Sequence, residues 1–218
     1  MAKKHVVTTD WRKNFAESPL ARQLLTATGL AASIDKTLQR WDSRQDLWIF
    51  AYGSLLWNPQ MQFEEMRVGR VHGYHRNFCL WSRINRGTPE RPGLVLGLDR
   101  GGSCGGLAYR LAARSVGAEL AGLWEREMLL GSYHPNWVHF RSGSMKTPAL
   151  TFVVNRQCSG YAGRLPDSAM LAALQSAHGR YGSCADYLTR TVQSLATHGI
   201  HDHRLMRLND LLLKRSTS

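Results

Sequence analysis

Residues 46 to about 155 contain a succession of strand-like segments interrupted by one helical pattern, and this succession constrains the fold more than any other feature. The helical pattern lies between the fifth and the sixth segment, and further helical patterns lie at both ends of the chain. Strands in a run with helices outside them favour an α+β domain over a doubly wound parallel sheet. The segments are residues 47–53, 67–71, 74–82, 94–99, 104–111, 136–141 and 149–154, with turns expected at Gly69, Gly87-Thr88-Pro89, Gly101-Gly102 and Gly143.

The helical patterns outside the strands predict how the chain is divided. Apolar residues at helical spacing after Pro19 predict an N-terminal helical extension over residues 1–45. The pattern near the C-terminus predicts three helices, the first beginning close to Pro166. We therefore expect a main domain over residues 46–213 and a short tail over residues 214–218. The apolar positions of the extension are Leu20, Leu24, Leu25, Leu30, Ile34 and Leu38.

Glu127 is a glutamate on the apolar face of the helix inserted between the strands. At about 100° per residue from Val116 it lies at about 20°, whereas Glu125 lies on the opposite face. A carboxylate buried without a partner has a raised pKa, because desolvation disfavours its charged form. Glu127 is therefore either a structural residue paired with an arginine or an acid/base catalyst, and the sequence leaves both open. The apolar positions on its face are Val116, Leu120, Leu123, Trp124 and Leu130.

The first strand-like segment ends in a tight polar loop. The alternating strand Leu47-Trp48-Ile49-Phe50-Ala51 leads into Tyr52-Gly53-Ser54-Leu55, and Pro59 stops the chain from continuing as a strand. A glycine and a serine between bulky neighbours allow a ligand to approach the backbone N–H groups closely. An ordinary strand end with a turn is the alternative. A serine hydrolase elbow is excluded, because Tyr52 and Leu56 stand where Gly-x-Ser-x-Gly requires glycine.

Three segments of the chain carry a resemblance to a known family. They are residues 48–59 (WIFAYGSLLWNP), 73–79 (GYHRNFC) and 126–133 (REMLLGSY). In order and spacing they resemble the ChaC family of glutathione-specific γ-glutamylcyclotransferases, and the resemblance covers roughly residues 46–213. It implies the small mixed β-barrel of that family, in which the inserted helix brings Glu127 to the mouth of the barrel beside the strand-end loop.

The resemblance also implies an activity, the cleavage of glutathione into 5-oxoproline and Cys-Gly with no metal or organic cofactor. Glu127 matches the family's proton acceptor. Tyr187 matches a tyrosine that lines the pocket, and a core aromatic is the alternative for it. Backbone N–H groups of Gly53 and Ser54 would stabilise the oxyanion. The residues that match the loop holding the γ-glutamyl group are Ala51, Tyr52, Gly53, Ser54, Leu55 and Leu56.

Two residues depart from the family pattern. Ala51 stands where a second glycine is usual, and Cys184 stands where an asparagine is usual, near Tyr187 on the expected pocket wall. The sequence shows the γ-glutamyl end of the site better than the leaving-group end. A broader γ-glutamyl-amine or γ-glutamyl-amino-acid cyclotransferase is therefore an open alternative.

The net charge of +12 is the feature that such an enzyme explains least. Arg83, Arg86 and Arg91 lie in one glycine-flanked segment, where they would bind phosphates nonspecifically or attract the carboxylates of glutathione. We expect the Cys-Gly half of glutathione to lie toward these arginines. A basic nucleic-acid-binding or regulatory protein on the same fold is the rival hypothesis. We favour a solvated basic surface without a nucleic-acid partner, because a pure binder needs no carboxylate on an apolar helix face.

Composition and the chain's first residues indicate a cytoplasmic protein. No stretch is apolar for long enough to span a bilayer, and the N-terminus lacks the apolar region of a signal peptide. The four cysteines are scattered, which fits reduced thiols in the cytoplasm. The histidine pairs His72/His75 and His201/His203 lack the further ligands of a metal site, so we expect no metal.

Overall fold

Five strands close into a mixed barrel, which confirms the α+β fold expected from the sequence. The computed structural model describes residues 11–16, 18 and 20–216. The strands are β1 (Leu47–Ala51), β2 (Glu65–Ser82), β3 (Gly93–Leu111), β4 (Tyr133–Ser142) and β5 (Met145–Val154). Their order around the barrel is β1-β3-β2-β4-β5, and β5 returns to pair with β1 and β3. Those closing pairs are parallel and the other pairs are antiparallel, so the barrel is mixed.

β1 differs from the alternating strand expected from the sequence, because all five of its residues are buried. It pairs with β3 on one side and, at Ile49, with β5 on the other, so it has no edge open to solvent there. A strand covered on both faces is a continuous apolar run rather than an alternating one. The strand also ends at Ala51, earlier than predicted, and the chain then turns into a short 3-10 helix at Ser54–Leu56.

β2 and β3 are each one long strand, where the sequence predicted two shorter ones. They form an antiparallel hairpin whose pairing is irregular near its middle. Gly73, Gly101 and Gly102 have positive φ angles at this irregularity, so the glycines expected to form a turn form a bulge instead. Gly69 lies within β2, where a Cβ would come within 2.2 Å of the Arg141 carbonyl oxygen. The close approach of β4, and not a turn, therefore requires this glycine.

Six helices lie outside the barrel in the described part of the chain. They include the inserted helix and the three helices predicted near the C-terminus, and a two-stranded hairpin precedes the fifth. None of these helices combines the length and apolar character that crossing a bilayer requires. The helices are α1 (Trp11–Ala16), α2 (Ala27–Leu38), α3 (Val116–Glu127), α4 (Asp167–Ser176), α5 (Cys184–Thr197) and α6 (His203–Ser216), and the hairpin strands are β6 (His178–Gly179) and β7 (Gly182–Ser183).

The N-terminal extension packs on the barrel through α2. The indole N–H of Trp124 in α3 donates to the Ser33 hydroxyl at 3.2 Å, and that of Trp137 in β4 donates to the Thr37 carbonyl at 3.1 Å. α2 begins after Thr26, whose hydroxyl caps its first turn, so the earlier part of the predicted helical pattern lies outside the helix. Pro19 lies outside the described residues. The division into an extension, a main domain and a tail stays a prediction, and α6 runs past residue 213.

Candidate active site

A cavity of about 360 Å³ opens at one end of the barrel. Its volume lies in the range of sites that bind small organic molecules. Segments that are distant in sequence form its wall, among them the loop after β1, the end of α3, the start of β4, the loop between β2 and β3, and α5. Three of the predicted site residues line it, namely Ser54, Glu127 and Tyr187.

Glu127 is the last residue of α3 and lies on the buried face of that helix. Its side chain is 14% exposed. This burial raises the pKa of the carboxyl group, and the charge of the neighbouring Arg126 opposes the change. A carboxylate with a raised pKa in a cavity is suited to accept a proton, as a general base does. Of the predicted apolar face, Leu130 lies beyond the end of the helix, and the buried residues are Val116, Leu120, Leu123 and Trp124.

Arg126 ties Glu127 to the loop after β1. Its Nε lies 3.1 Å from Oε1 of Glu127, and its Nη2 donates to the Ser54 hydroxyl at 2.8 Å. Its Nη1 donates to the Asn58 carbonyl at 2.6 Å. The sequence left open whether Glu127 is paired with an arginine or acts as a catalyst. The pair lies within the cavity and holds the carboxylate beside the loop, so the two interpretations are compatible.

Glu125 lies on the other side of α3, as the helical spacing predicts. Its side chain is 37% exposed and lies 3.4 Å from Arg12 of α1. It is not among the residues that line the cavity. Glu125 and Glu127 are therefore a matched pair for mutagenesis, with the same side chain on the same helix in two different environments.

Most of the predicted residues in the loop after β1 are buried beneath the cavity wall and do not line the cavity. Of the residues predicted to hold a γ-glutamyl group, Ser54 lines the cavity, whereas Ala51, Leu55 and Leu56 are buried in the core. The carbonyl groups of Leu55 and Leu56 accept hydrogen bonds from the Tyr109 hydroxyl at 3.0 and 3.4 Å. These contacts fix the position of the 3-10 turn that carries Ser54.

Tyr52 and Gly53 connect β1 to this turn. The Tyr52 side chain is buried and donates to the Phe152 carbonyl at 2.7 Å, while the Tyr52 carbonyl accepts a hydrogen bond from Nε of Arg76 at 2.5 Å. A Cβ at position 53 would lie 3.1 Å from the Tyr187 hydroxyl oxygen. Glycine therefore allows Tyr187 to lie close to the backbone of the loop.

Tyr187 closes one side of the cavity from α5. Its ring meets Trp57 and Phe78 edge-on, with centroids 6.1 and 6.2 Å away. Its hydroxyl accepts a hydrogen bond from the Leu96 N–H at 3.4 Å. The residue is buried and yet lines the cavity, so it is at once a core aromatic and a part of the pocket wall.

Cys184 does not lie on the cavity wall, although its place in the sequence suggested so. The thiol is fully buried, donates to the Leu94 carbonyl at 2.9 Å and accepts from the Leu94 N–H at 3.1 Å. Burial raises its pKa to about 11. This departure from the family pattern therefore falls in the core. Among the described residues, there is no group of three or more histidine, cysteine, aspartate or glutamate side chains that could hold a metal ion.

Tyr133 is a cavity residue that the sequence did not single out as part of the site. It begins β4, a few residues after Glu127, and its hydroxyl donates to the Leu96 carbonyl at 2.9 Å. Burial raises the pKa of Tyr133 well above its usual range, and the nearby Tyr52 and Glu127 raise it further. The phenol is therefore neutral, and it contributes a polar wall without adding charge beside the glutamate.

Four arginines also line the cavity in the described structure. Arg126 lies beside Glu127, and Arg190 projects from α5. Arg83 and Arg86 come from the loop between β2 and β3, as the sequence suggested for this segment, whereas Arg91 of the same loop is exposed and lies outside the wall. The part of the cavity away from Glu127 is therefore strongly basic.

The barrel and its cavity define a class of protein. The structure superposes on the crystal structure of a γ-glutamyl cyclotransferase specific to glutathione from yeast with a TM-score of 0.72, at 19% sequence identity, and the match covers 78% of this chain and 96% of that chain. A likeness at this identity shows the fold alone. The chain has the fold of the γ-glutamyl cyclotransferases.

Within this class, the chain belongs to the ChaC-like protein family, whose model matches residues 47–215. A glutathione-specific γ-glutamylcyclotransferase of Escherichia coli (strain K12) is 37% identical over 191 residues, which cover 87% of this chain and 81% of the relative. A glutathione-specific γ-glutamylcyclotransferase 1 of Homo sapiens is 36% identical over 151 residues, which cover 67% of this chain and 68% of the relative. These matches confirm the resemblance that the three sequence segments indicated.

Proposed function

We propose that this protein is an enzyme that degrades glutathione, a γ-glutamylcyclotransferase that releases 5-oxoproline and Cys-Gly. The observation that carries the proposal is the buried carboxylate of Glu127, held by Arg126 beside the loop after β1 in a cavity of small-molecule size. The names of the relatives support the choice of substrate. The fold alone would not, because one fold supports many activities.

The reaction needs a base and no external nucleophile. The α-amine of the γ-glutamyl residue is an ammonium at neutral pH, so Glu127 must first remove its proton. The free amine attacks the γ-carbonyl carbon and forms the C–N bond of the five-membered ring. The bond between that carbon and the cysteine nitrogen then breaks as the protonated Glu127 returns its proton to the departing nitrogen. Glu127 next takes the second proton from the ring nitrogen and passes it to the released amine, so the products are the neutral lactam of 5-oxoproline and Cys-Gly with an ammonium at its N-terminus.

The surrounding residues have supporting roles in this proposal. Arg126 fixes the direction of the Glu127 carboxylate, since its other nitrogens are held by Ser54 and Asn58. The first N–H groups of the turn at Ser54–Leu56 have no acceptor within that turn, and they are the donors that we assign to the oxyanion. Tyr187 limits the cavity on the other side. Of the loop residues named from the sequence, Ser54 is proposed to contact the γ-glutamyl group directly. The others, Ala51, Tyr52, Gly53, Leu55 and Leu56, are proposed to hold the turn that carries Ser54 in position.

We place the reaction in the cytoplasm and assign it no metal or organic cofactor. All four cysteines are free, as is usual in a reducing compartment. Three of them, Cys79, Cys104 and Cys184, are buried. The proton transfer and ring closure described above balance without a redox partner or a second substrate.

Incubation of the purified protein with glutathione tests the proposal directly. We expect 5-oxoproline and Cys-Gly in equal amounts, measured together by mass spectrometry, and much slower turnover of γ-glutamyl-alanine. Equal kcat/KM for the two substrates would favour the broader cyclotransferase. Release of free glutamate would indicate hydrolysis instead. A protein without turnover that binds random oligonucleotides in a salt-dependent way would favour the basic binding protein.

The pH dependence of the reaction should reflect the burial of Glu127. Below its pKa the carboxyl is protonated and cannot accept the ammonium proton, so kcat/KM should fall with an acid midpoint above the ordinary value of a glutamate. Because the charge of Arg126 lowers the Glu127 pKa, Arg126→Met should move this midpoint to higher pH. Arg126→Lys, which keeps the charge, should move it less. A midpoint unchanged in Arg126→Met, read from pH profiles of kcat/KM, would contradict this account.

A further inference from the structure

Two arginines from different elements meet over one tryptophan at the basic side of the cavity. The guanidinium carbon of Arg86 lies 5.7 Å from the centroid of the Trp57 ring, and that of Arg190 lies 5.5 Å from it. Arg86 also lies 5.4 Å from the Tyr187 ring. Both arginines and Trp57 line the cavity. Aromatic faces hold guanidinium groups in place and leave their edges available for hydrogen bonds.

Arg86 is buried, with a side chain 8% exposed, and this burial is unusual for an arginine that has a weak partner. Its Nη1 lies 3.6 Å from Oδ2 of Asp186 and donates to the Ser183 carbonyl at 3.3 Å. Both contacts use the same nitrogen. In the described structure, Nε and Nη2 of Arg86 have no acceptor.

Arg190 is arranged in a similar way. Its Nε lies 3.1 Å from both oxygens of the Asp186 carboxylate, one helical turn earlier on α5, and its side chain is 55% exposed. No described residue accepts a hydrogen bond from its two terminal nitrogens. Asp186 is therefore shared by two guanidinium groups, and the cluster of Arg86, Arg190 and Asp186 has one positive charge in excess.

We infer that Arg86 and Arg190, packed on Trp57, form the binding site for the terminal carboxylate of the leaving dipeptide and so select γ-glutamyl peptides that end in a carboxylate. The inference rests on the proposed function. A carboxylate would balance the excess positive charge of the cluster. It would also accept hydrogen bonds from the N–H groups of both arginines that have no acceptor in the described structure. Charge-assisted hydrogen bonds of this kind are the strong ones in binding sites.

Glutathione has a second carboxylate, and the geometry separates the two. The α-carboxylate is attached to the same carbon as the attacking amine, so it must lie close to Glu127. The arginine next to Glu127 is Arg126, with 3.1 Å between Nε and Oε1. Arg86 comes from the loop between β2 and β3 and Arg190 from α5, and both are paired with Asp186 rather than with Glu127. The carboxylate that reaches them is the one at the other end of the tripeptide.

A comparison of glutathione with its glycinamide analogue tests the inference, because the analogue lacks just the terminal charge. For the parent protein we expect kcat/KM to be about 10- to 100-fold lower with the amide. Arg190→Gln should lower kcat/KM for glutathione about tenfold, through KM, and should leave the amide within about twofold of the parent value. Arg86→Lys keeps the charge but loses the planar pair of donors that a guanidinium offers to a carboxylate. It should therefore also lower kcat/KM for glutathione more than for the amide.

Arg114→Gln is the matched control for Arg190→Gln. Arg114 is 83% exposed and pairs with Glu64, and neither residue lines the cavity, so this change also removes one positive charge and one surface ion pair. Arg114→Gln should leave kcat/KM unchanged for both glutathione and its glycinamide analogue. Arg86 is buried, so Arg86→Lys could disturb folding. Turnover of the amide by this variant shows whether it is still folded with Glu127 active.

Several outcomes would decide against the inference. Equal kcat/KM for glutathione and the amide in the parent protein would overturn it while leaving the proposed function intact. An Arg190→Gln protein that loses the same factor with both substrates would also overturn it, since the arginine would then act on the structure or on the γ-glutamyl end. A parent protein that turns over neither substrate would overturn the proposed function, and the inference with it.

Discussion

The substitution Glu127→Gln is expected to lower kcat for 5-oxoproline formation by at least about 100-fold while the protein stays folded. The amide has nearly the same shape as the carboxylate but cannot accept the ammonium proton. The measurement is the initial rate of product formation at saturating glutathione. Glu125→Gln, two residues earlier on α3 and outside the cavity, is the control and should keep most of the activity. A Glu127→Gln protein as active as the parent would rule out Glu127 as the base.

The stability of the Glu127→Gln protein provides a second readout. Burial holds the pKa of Glu127 above its unfolded value, so the folded state prefers the protonated form. Ionisation of this group therefore costs stability as the pH rises from the unfolded pKa through the folded one. The glutamine variant lacks that cost and should resist denaturant at least as well as the parent at neutral pH. The difference should disappear as the pH falls below the unfolded pKa.

Replacement of Arg76 by methionine is expected to destabilise the protein by roughly 3–5 kcal/mol. The Arg76 side chain is 2% exposed and donates to the carbonyls of Tyr52 and Gly105 at 2.5 and 2.6 Å, and to Asp202 at 2.7 Å. Its removal takes the charged donor away from a carboxylate and two carbonyl groups in a site that water enters poorly. Equilibrium unfolding in denaturant measures the loss.

Arg100→Met is the control for this change, because Arg100 is an exposed arginine on β3. It should alter the free energy of unfolding by less than about 0.5 kcal/mol. Since Arg76 holds the carbonyl of Tyr52, next to the loop that carries Ser54, the Arg76→Met protein should also lose activity under conditions where it is still folded. Arg76→Met with the stability of the parent would show that these hydrogen bonds are not needed.

The sequence predicted which helices and strands form better than it predicted where each of them begins and ends. The helical spacing placed Glu127 and Glu125 on opposite faces of α3, because that periodicity depends on local geometry. The turn signal at Gly101-Gly102 was wrong, since glycines with positive φ angles serve a bulge as well as a turn. The alternation expected in β1 was wrong too, because side chains of the core cover both of its faces, and the local sequence does not show what packs on each face of a strand.

The candidate site could be predicted in part. Ser54 and Glu127 belong to segments with recognisable patterns, and both line the cavity. The contacts of Arg126, Arg86 and Arg190 depend on tertiary packing. The hydrogen bond from Arg126 to Ser54 joins residues 72 positions apart. In an arginine-rich chain, single arginines carry no local signal that separates a cavity residue from a surface one.

The distances along the chain between the site's contributors also bear on how the enzyme matures. The indole N–H of Trp57 donates to the Thr191 hydroxyl at 3.2 Å, across 134 positions of sequence, and Tyr187 packs on the same indole. Contacts this far apart in sequence form late, because long loops must close first. A nascent chain on the ribosome would therefore expose Glu127 and the loop after β1 without the opposite wall of the cavity. The cavity would be complete only when α5 has been synthesised and docked.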